Sequence, residues 1–108
     1  MNSHKPEKIT SLLTQYAAEF LNRQSNGASL ITVTHSTISN DLKQATIFVT
    51  IFPDDKEEEA LNFVKRQRSE LRDYIKTKSK LGTLPFLDIT LDRGEKNRQH
   101  IDDILNKG

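Results

Sequence analysis

The sequence contains no cysteine, and glycine and proline are scarce. Without cysteine the chain has no disulfide framework, no thiol nucleophile and no cysteine-ligated zinc site. The four glycines stand apart at positions 27, 82, 94 and 108, which argues against a glycine-rich phosphate-binding loop. No apolar run is long enough to cross a membrane, and the polar first residues lack the apolar stretch of a signal peptide. We therefore expect a cytoplasmic protein.

A large excess of charge of one sign is also missing. The 108 residues include 16 lysines and arginines against 15 aspartates and glutamates, so that the net charge is only +1. This balance excludes a histone-like tail but not a local charged patch. Hydrophobic residues make up 34% and charged residues 29% of the chain. Length and composition predict one domain over residues 1–108, with a small core.

The first half of the sequence predicts a helix and two strands. Apolar residues recur at steps of three and four from Pro6 to Asn22, which is typical of one buried helical face. Residues 30–39 are rich in β-branched side chains, and residues 44–52 alternate between two faces. The short connection at Asn40-Asp41 predicts that the two strands form an antiparallel hairpin.

The second half predicts a long, interrupted helix and a third strand. The helical pattern starts after Pro53 and continues to about Lys80, but its apolar stripe is interrupted at Gln67-Arg68-Ser69. A kink there is expected, because so long an unbroken helix is unusual in a small domain. Leu87–Leu91 alternates like a strand. A short final helix is predicted by Ile101, Ile104 and Leu105.

Together these elements predict an α+β fold of order α-β-β-α-kink-α-β. One three-stranded sheet covered by helices on one face is the economical packing. We expect the helices to cover the face that carries Ala45, Ile47, Val49 and Ile51. The open face would then carry Thr46, Phe48, Thr50 and Thr90.

Catalytic and metal-binding patterns are weak. The three histidines, His4, His35 and His100, lie far apart in the sequence, and His35 is more typical of a solvated strand position than of a pair with Asp41. An acidic run lacks the spacing of a calcium loop and fits the positive end of a helix dipole. Its members are Asp54, Asp55, Glu57, Glu58 and Glu59. We expect no metal, no cofactor, no small-molecule substrate and no enzymatic activity.

A basic segment at residues 65–80 is the strongest functional signal. Seven positive charges face two negative ones there, a local excess of five in a nearly neutral chain. Such a patch fits RNA or DNA binding, although a solvated helix face remains the alternative. On a helical wheel, part of the set lies beside the apolar sector, so that one face could dock on the sheet while its neighbour faces a polyanion. The predicted phosphate contacts are Lys65, Arg66, Arg68, Arg72, Lys76, Lys78 and Lys80, with Arg23 as a weaker candidate.

The predicted mode of binding is recognition of shape and phosphates. A sheet that stacks bases needs several aromatic side chains on its open face, and here only Phe48 is expected among threonines. No G-x-x-G sequence is present to grip a nucleic-acid backbone. Contacts to phosphates with weak base specificity therefore remain.

The hairpin follows a specific pattern, V-T-V-T-x-V-x-(V/L)-S-x-D-L-x-x-A-x-V-(Y/F)-V-(S/T). The matching residues are Thr32-Val33-Thr34, Ile38-Ser39, Asp41-Leu42, Ala45 and Ile47-Phe48-Val49-Thr50. Weaker matches at the right spacing are Leu71-Arg72, Leu81 with Pro85 and Leu87, Asp92, and Ile101-Asp102 with Ile104-Leu105. Over nearly its whole length the chain resembles the ribosome-binding factor A family of bacterial assembly factors for the small ribosomal subunit.

The resemblance implies a KH-like fold of type II and a non-catalytic role in ribosome maturation. The family has an A-x-G kink where this chain has Gln67, Arg68 and Ser69, and the hydroxyl of Ser69 could cap the second helix. The implied partners are the free 30S subunit and its 16S ribosomal RNA. The protein would act as a monomer late in maturation, including processing of the RNA 5′ end, and leave before translation. A general RNA-binding protein, a protein–protein adaptor on the open sheet face and a small enzyme using His35 remain alternatives.

Overall fold

The computed structural model describes residues 6–23 and 29–94. Its elements are α1 (Pro6–Arg23), β1 (Leu30–Ile38), β2 (Gln44–Phe52), a 3-10 turn (Asp54–Lys56), α2 (Glu57–Arg66), α3 (Arg68–Ser79) and β3 (Phe86–Leu91). This order confirms the predicted α+β arrangement. The predicted final helix, together with His4 and His100, lies outside the described residues.

The three strands form one sheet in the order β1-β2-β3, with β2 in the middle. β1 and β2 pair antiparallel, which confirms the predicted hairpin. β3 pairs parallel to β2, so that Ile89 lies beside Ile47. A parallel partner cannot follow through a tight turn, and the connection between these strands is the segment that contains α2 and α3.

The hairpin turn is held by the carboxylate of Asp41. Its Oδ1 accepts a hydrogen bond from the Ser39 hydroxyl at 2.6 Å and another from the backbone N–H of Lys43 at 3.0 Å. These bonds stabilise the charged form, so that first the Ser39 hydroxyl and then the Lys43 N–H lower the pKa of Asp41. Leu42 adopts a left-handed conformation with φ of 62°. The turn thus closes on its own side chains.

The core lies between the helices and one face of the sheet. Along β2 the buried side chains alternate with half-exposed ones, as expected for a strand with one covered face. The predicted inward set is confirmed, and β3 adds Leu87 and Ile89. The helices contribute Leu13 and Ala17 from α1, and Leu71 from α3, all at most 1% exposed. The inward residues of β2 are Ala45, Ile47, Val49 and Ile51.

The predicted break between the later helices is present at Gln67. This residue has φ of −98° and ψ of 15°, and it separates α2 from α3. Its backbone N–H donates to the Val64 carbonyl and its own carbonyl accepts from the Leu71 N–H, each at 2.9 Å. The hypothesis that Ser69 caps α3 is wrong: Gln67 is the N-terminal cap, and no side chain provides a capping hydrogen bond.

Among the described residues, no helix has both the length and the apolar character that crossing a membrane requires.

Candidate nucleic-acid interface

Arg68 extends from the helix break across the edge of β3. Its guanidinium carbon lies 5.1 Å from the centroid of the Phe86 ring, and its Nη1 lies 3.4 Å from Asp88 Oδ1. Both partners are exposed side chains of β3, and Phe86 remains 55% exposed. The arginine is therefore oriented by an aromatic ring and a carboxylate while its surface stays accessible.

A shallow cleft of about 250 Å³ opens beside this contact. It lies where the start of α3 meets the beginning of β3. Its walls thus combine cationic, hydroxyl and aromatic groups, a set that can contact both the phosphates and the flat bases of a nucleic acid. The lining residues are Arg68, Ser69, Arg72, Phe86 and Leu87.

Arg72 follows Arg68 by one helical turn but contacts the protein's own backbone. Its Nη1 donates a hydrogen bond to the carbonyl oxygen of Pro85, and its Nη2 donates to that of Leu84 at 3.2 Å. The side chain is half-buried. Arg72, which the sequence predicts to bind phosphate, thus joins α3 to the loop before β3.

Four cations of the basic segment point into solvent. Within the described part of the chain, none of the four forms an ion pair with a carboxylate. Lys80 differs from the others in lying just beyond α3, in a left-handed conformation with φ of 58°. Exposed cations without a carboxylate partner can approach phosphates with little rearrangement. The four residues are Lys65, Arg66, Lys76 and Lys80.

Lys78 lies on the other side of α3, against α1. Its Nζ is 5.7 Å from the centroid of the Tyr74 ring, and the Arg23 guanidinium carbon is 5.2 Å from the same centroid. The Tyr74 hydroxyl donates to Glu19 Oε1 at 2.9 Å, and this bond to a carboxylate raises the pKa of Tyr74. Arg23 and Lys78 therefore form a separate cationic pair.

The helical wheel drawn for one continuous helix does not hold across Gln67. Lys65 belongs to α2, whereas Arg72 and Lys76 belong to α3, one turn apart. The structure brings Arg68 and Arg72 to the β3 edge and places Lys78 toward α1. The basic residues thus occupy two sides of the helical layer.

Phe86 and the partners of His35 are features that the sequence analysis missed. The predicted third strand started at Leu87, although Phe86 begins the same alternation and is exposed. His35 does not contact Asp41: its Nδ1 lies 3.3 Å from Asp92 Oδ2, and its ring stacks on Phe48. A register shift between Val33 and His35 creates this pairing, and no residue pattern in β1 indicates it.

The contacts of His35 do not form a catalytic triad with Thr34. The hydroxyl of Thr34 and the carboxylate of Asp92 both approach the same ring nitrogen, Nδ1, at 3.2 Å and 3.3 Å. In a triad the nucleophilic hydroxyl and the orienting carboxylate contact different nitrogens of the ring. Across residues 6–23 and 29–94, no group of three histidine, aspartate or glutamate side chains could hold a metal ion. The acidic run occupies the 3-10 turn and the first turn of α2.

Comparisons with known proteins agree on one family. Residues 5–105 match the family model described as ribosome-binding factor A. The ribosome-binding factor A of Thermobifida fusca is 26% identical over 110 aligned residues, which cover 99% of this chain and 73% of the relative. The Clostridium botulinum protein of the same name is 30% identical over 80 residues, covering 73% of this chain and 67% of the relative.

A crystal structure and a fitted homology model from Thermus thermophilus have the same fold. The crystal structure of its ribosome-binding factor A aligns with a TM-score of 0.71 at 22% identity, covering 81% of this chain and 96% of the other. A homology model of the same factor, fitted into the cryo-EM map of a 30S–RbfA complex, aligns with a TM-score of 0.72 at 23% identity. The alignment covers 83% of this chain and 97% of the fitted one. At these identities the likeness establishes the shared fold.

Proposed function

Since the chain belongs to the ribosome-binding factor A family, we propose that it binds the small ribosomal subunit and assists its late maturation. A homology model of the Thermus thermophilus relative has been fitted into the cryo-EM map of a 30S–RbfA complex, and its fold superposes on that of this chain. The proposed partner is the free 30S subunit, which the protein binds as a monomer in the cytoplasm. Its target there is 16S ribosomal RNA.

The observation that carries this proposal is the Arg68–Phe86 contact at the helix break. A guanidinium and an exposed ring lie together in this cleft, and exposed cations are carried by α2, by α3 and by the residue that follows α3. We propose that phosphates contact Arg68 and the four exposed cations, and that Arg23 and Lys78 contribute a second cationic position. The role of Arg72 is then to hold the loop before β3 in place. The four exposed cations are Lys65, Arg66, Lys76 and Lys80.

Such binding needs no catalytic step. A bound protein shifts an RNA conformational equilibrium by the difference between its affinities for the two RNA states. A factor that prefers the folded form of 16S RNA would make its 5′ end available to the processing nucleases. The prediction that this protein is not an enzyme follows from that mechanism.

Co-sedimentation with purified 30S subunits, 50S subunits and 70S ribosomes, at a low and a high salt concentration, tests the proposal. We expect binding to 30S alone, and weaker binding at high salt because phosphate contacts release counterions. Equal binding to all three particles would show that the protein binds RNA nonspecifically through its positive charges. Association that survives ribonuclease treatment would indicate a protein–protein adaptor instead.

Charge-reversal variants identify the surface that binds the 30S subunit. Lys65→Glu and Lys76→Glu, made singly, should each weaken 30S binding, because each places a negative charge beside RNA phosphates. Lys8→Glu is the matched control, since Lys8 is an exposed lysine of α1 outside the basic segment. Equal effects of all three reversals would show that overall charge, rather than this surface, governs binding.

A further inference from the structure

The open face of the sheet carries a stacked pair of rings. His35 of β1 lies opposite Phe48 of β2, with ring centroids 4.4 Å apart and ring planes within 4° of parallel. The sequence alone predicts a single aromatic side chain here, which would make a poor surface for stacking. The imidazole is a second ring on this face, and the side chain of His35 is still 51% exposed.

Hydrogen bonds hold the imidazole in this orientation. The Thr34 hydroxyl donates to Asp92 Oδ2 at 2.6 Å, and the same oxygen lies 3.3 Å from His35 Nδ1. Asp92 follows the end of β3, so that the ring is tied across the width of the sheet. A ring fixed in advance loses little conformational entropy when another flat group stacks on it.

The surroundings of the pair suit a nucleobase. Thr90 lies beside Phe48 on the open face, and Thr46 and Thr37 form the next cross-strand pair. Threonine hydroxyls can donate or accept hydrogen bonds to base edges without adding charge. Of the two β3-side carboxylates near the pair, Asp88 lies 3.4 Å from an Arg68 nitrogen, and Asp92 accepts a hydrogen bond from the Thr34 hydroxyl.

The stacked pair is continuous with the proposed phosphate-binding cleft. Phe86 lies beside Gln44, which precedes Phe48 by four residues on β2. At about 3.3 Å per residue the two aromatic positions are roughly 13 Å apart along the strand, on the same face. An RNA strand leaving the Arg68–Phe86 cleft can therefore reach His35 across the open sheet.

We propose that the His35–Phe48 stack binds an unpaired nucleobase of RNA. This inference rests on the proposed function and adds a base contact to the phosphate contacts of the helices. The ligand class is a single-stranded ribonucleotide whose base stacks on the exposed imidazole face. Base–aromatic stacking tolerates any base identity, so that the site selects unpaired over paired RNA rather than one sequence.

Two matched single-stranded probes, one with bases and one without, separate stacking from phosphate binding. A fluorescent oligoadenylate of about eight nucleotides is titrated beside the same ribose-phosphate chain without bases. The wild-type protein should bind the base-bearing strand about tenfold more tightly, as expected for one stacked base. His35→Ala should remove that preference, and His35→Phe should restore it. Thr77→Ala, at an exposed threonine of α3 outside the sheet, is the matched control and should keep it.

The outcomes distinguish this inference from the proposed function. Lys76→Gln should weaken binding of both strands equally, because both retain phosphates. Equal wild-type affinity for the two strands, or an unchanged preference in His35→Ala, would overturn the base site while leaving phosphate binding intact. Failure of the wild-type protein to bind either strand would count against both proposals. Circular dichroism of each variant verifies that it is folded.

Discussion

Arg72 donates a hydrogen bond to the backbone carbonyl oxygen of Leu84 across 3.2 Å, and a second guanidinium nitrogen bonds the next carbonyl, that of Pro85. Within residues 6–23 and 29–94, neither of these two oxygens accepts a backbone hydrogen bond. A planar cation with several donors can satisfy both at once, which a lysine cannot do with the same geometry. The arginine thus fixes where β3 enters the sheet.

Replacing Arg72 should therefore lower stability. We expect Arg72→Leu to reduce the free energy of unfolding by about 2 kcal/mol, because two half-buried carbonyl groups lose a charged donor. Urea denaturation followed by circular dichroism measures the change. Lys76→Leu, one helical turn away and exposed, is the control and should change stability by less than about 0.5 kcal/mol. An equally stable Arg72→Leu protein would contradict the structural role and return this residue to the set of RNA ligands.

The salt dependence of RNA binding should report the number of phosphate contacts. Each contact that is removed lowers the slope of log affinity against log salt by roughly one unit. Lys76→Gln combined with Lys80→Gln should therefore lower the slope by about two, measured by 30S binding at several salt concentrations. Lys8→Gln should leave it unchanged. Parallel lines for the wild-type protein and the double variant would show that neither lysine contacts RNA.

The turn carboxylate should contribute to acid sensitivity. Hydrogen bonds from Ser39 and from the Lys43 N–H lower the pKa of Asp41 in the folded protein. A lowered folded-state pKa means that this contribution is fully present above the ordinary aspartate pKa and is lost as pH falls through the folded value. Asp41→Ala should thus destabilise the protein at neutral pH and show a smaller stability difference between neutral pH and pH of about 3.

Urea denaturation at both pH values measures this difference. Asp55→Ala, in the 3-10 turn that follows β2, is the comparison, since Asp55 is likewise an exposed aspartate. If the stability of Asp41→Ala fell with pH as much as that of the wild-type protein, the carboxylate of the turn would not contribute to acid sensitivity.

A buried polar atom at the helix break is expected to lower the free energy of unfolding. The side-chain oxygen Oε1 of Gln67 is buried and has no hydrogen-bond partner within residues 6–23 and 29–94. Gln67→Met has a similar shape without this polar atom, and we expect it to raise the free energy of unfolding by about 1 kcal/mol. Ser69→Ala, an exposed change in the first turn of α3, should have little effect. A destabilised Gln67→Met protein would show that the amide is needed at the break.

Sequence periodicity predicts the elements well because burial of an apolar stripe decides them. α1 extends one residue beyond its expected end, and β2 has its expected bounds. The break at Gln67 is also predictable, since polar residues occupy the positions that a straight helix would bury. KH-like chain order follows from these elements and from the family resemblance.

Side-chain partners were harder to predict because they depend on registers that the pattern does not specify. The break at Gln67 divides the helical stretch into α2 and α3, so that a single helical wheel does not describe both. The register shift in β1 brings His35 opposite Phe48, although its sequence reads as an ordinary strand. Charge alone predicts that Arg72 contacts phosphate, and no residue pattern indicates its hydrogen bonds to two carbonyl oxygens distant in sequence.

The parallel pairing of β3 with β2 has a consequence for synthesis of the chain. The hairpin and α1 can associate as soon as residues 6–52 exist, but the middle strand then still has one unpaired edge. Its partner ends at Leu91, after both later helices have been made. Loop closure over such a separation is slow compared with hairpin formation. A nascent chain therefore exposes one edge of β2 until β3 has been synthesised, and this interval is when the protein is most vulnerable to aggregation.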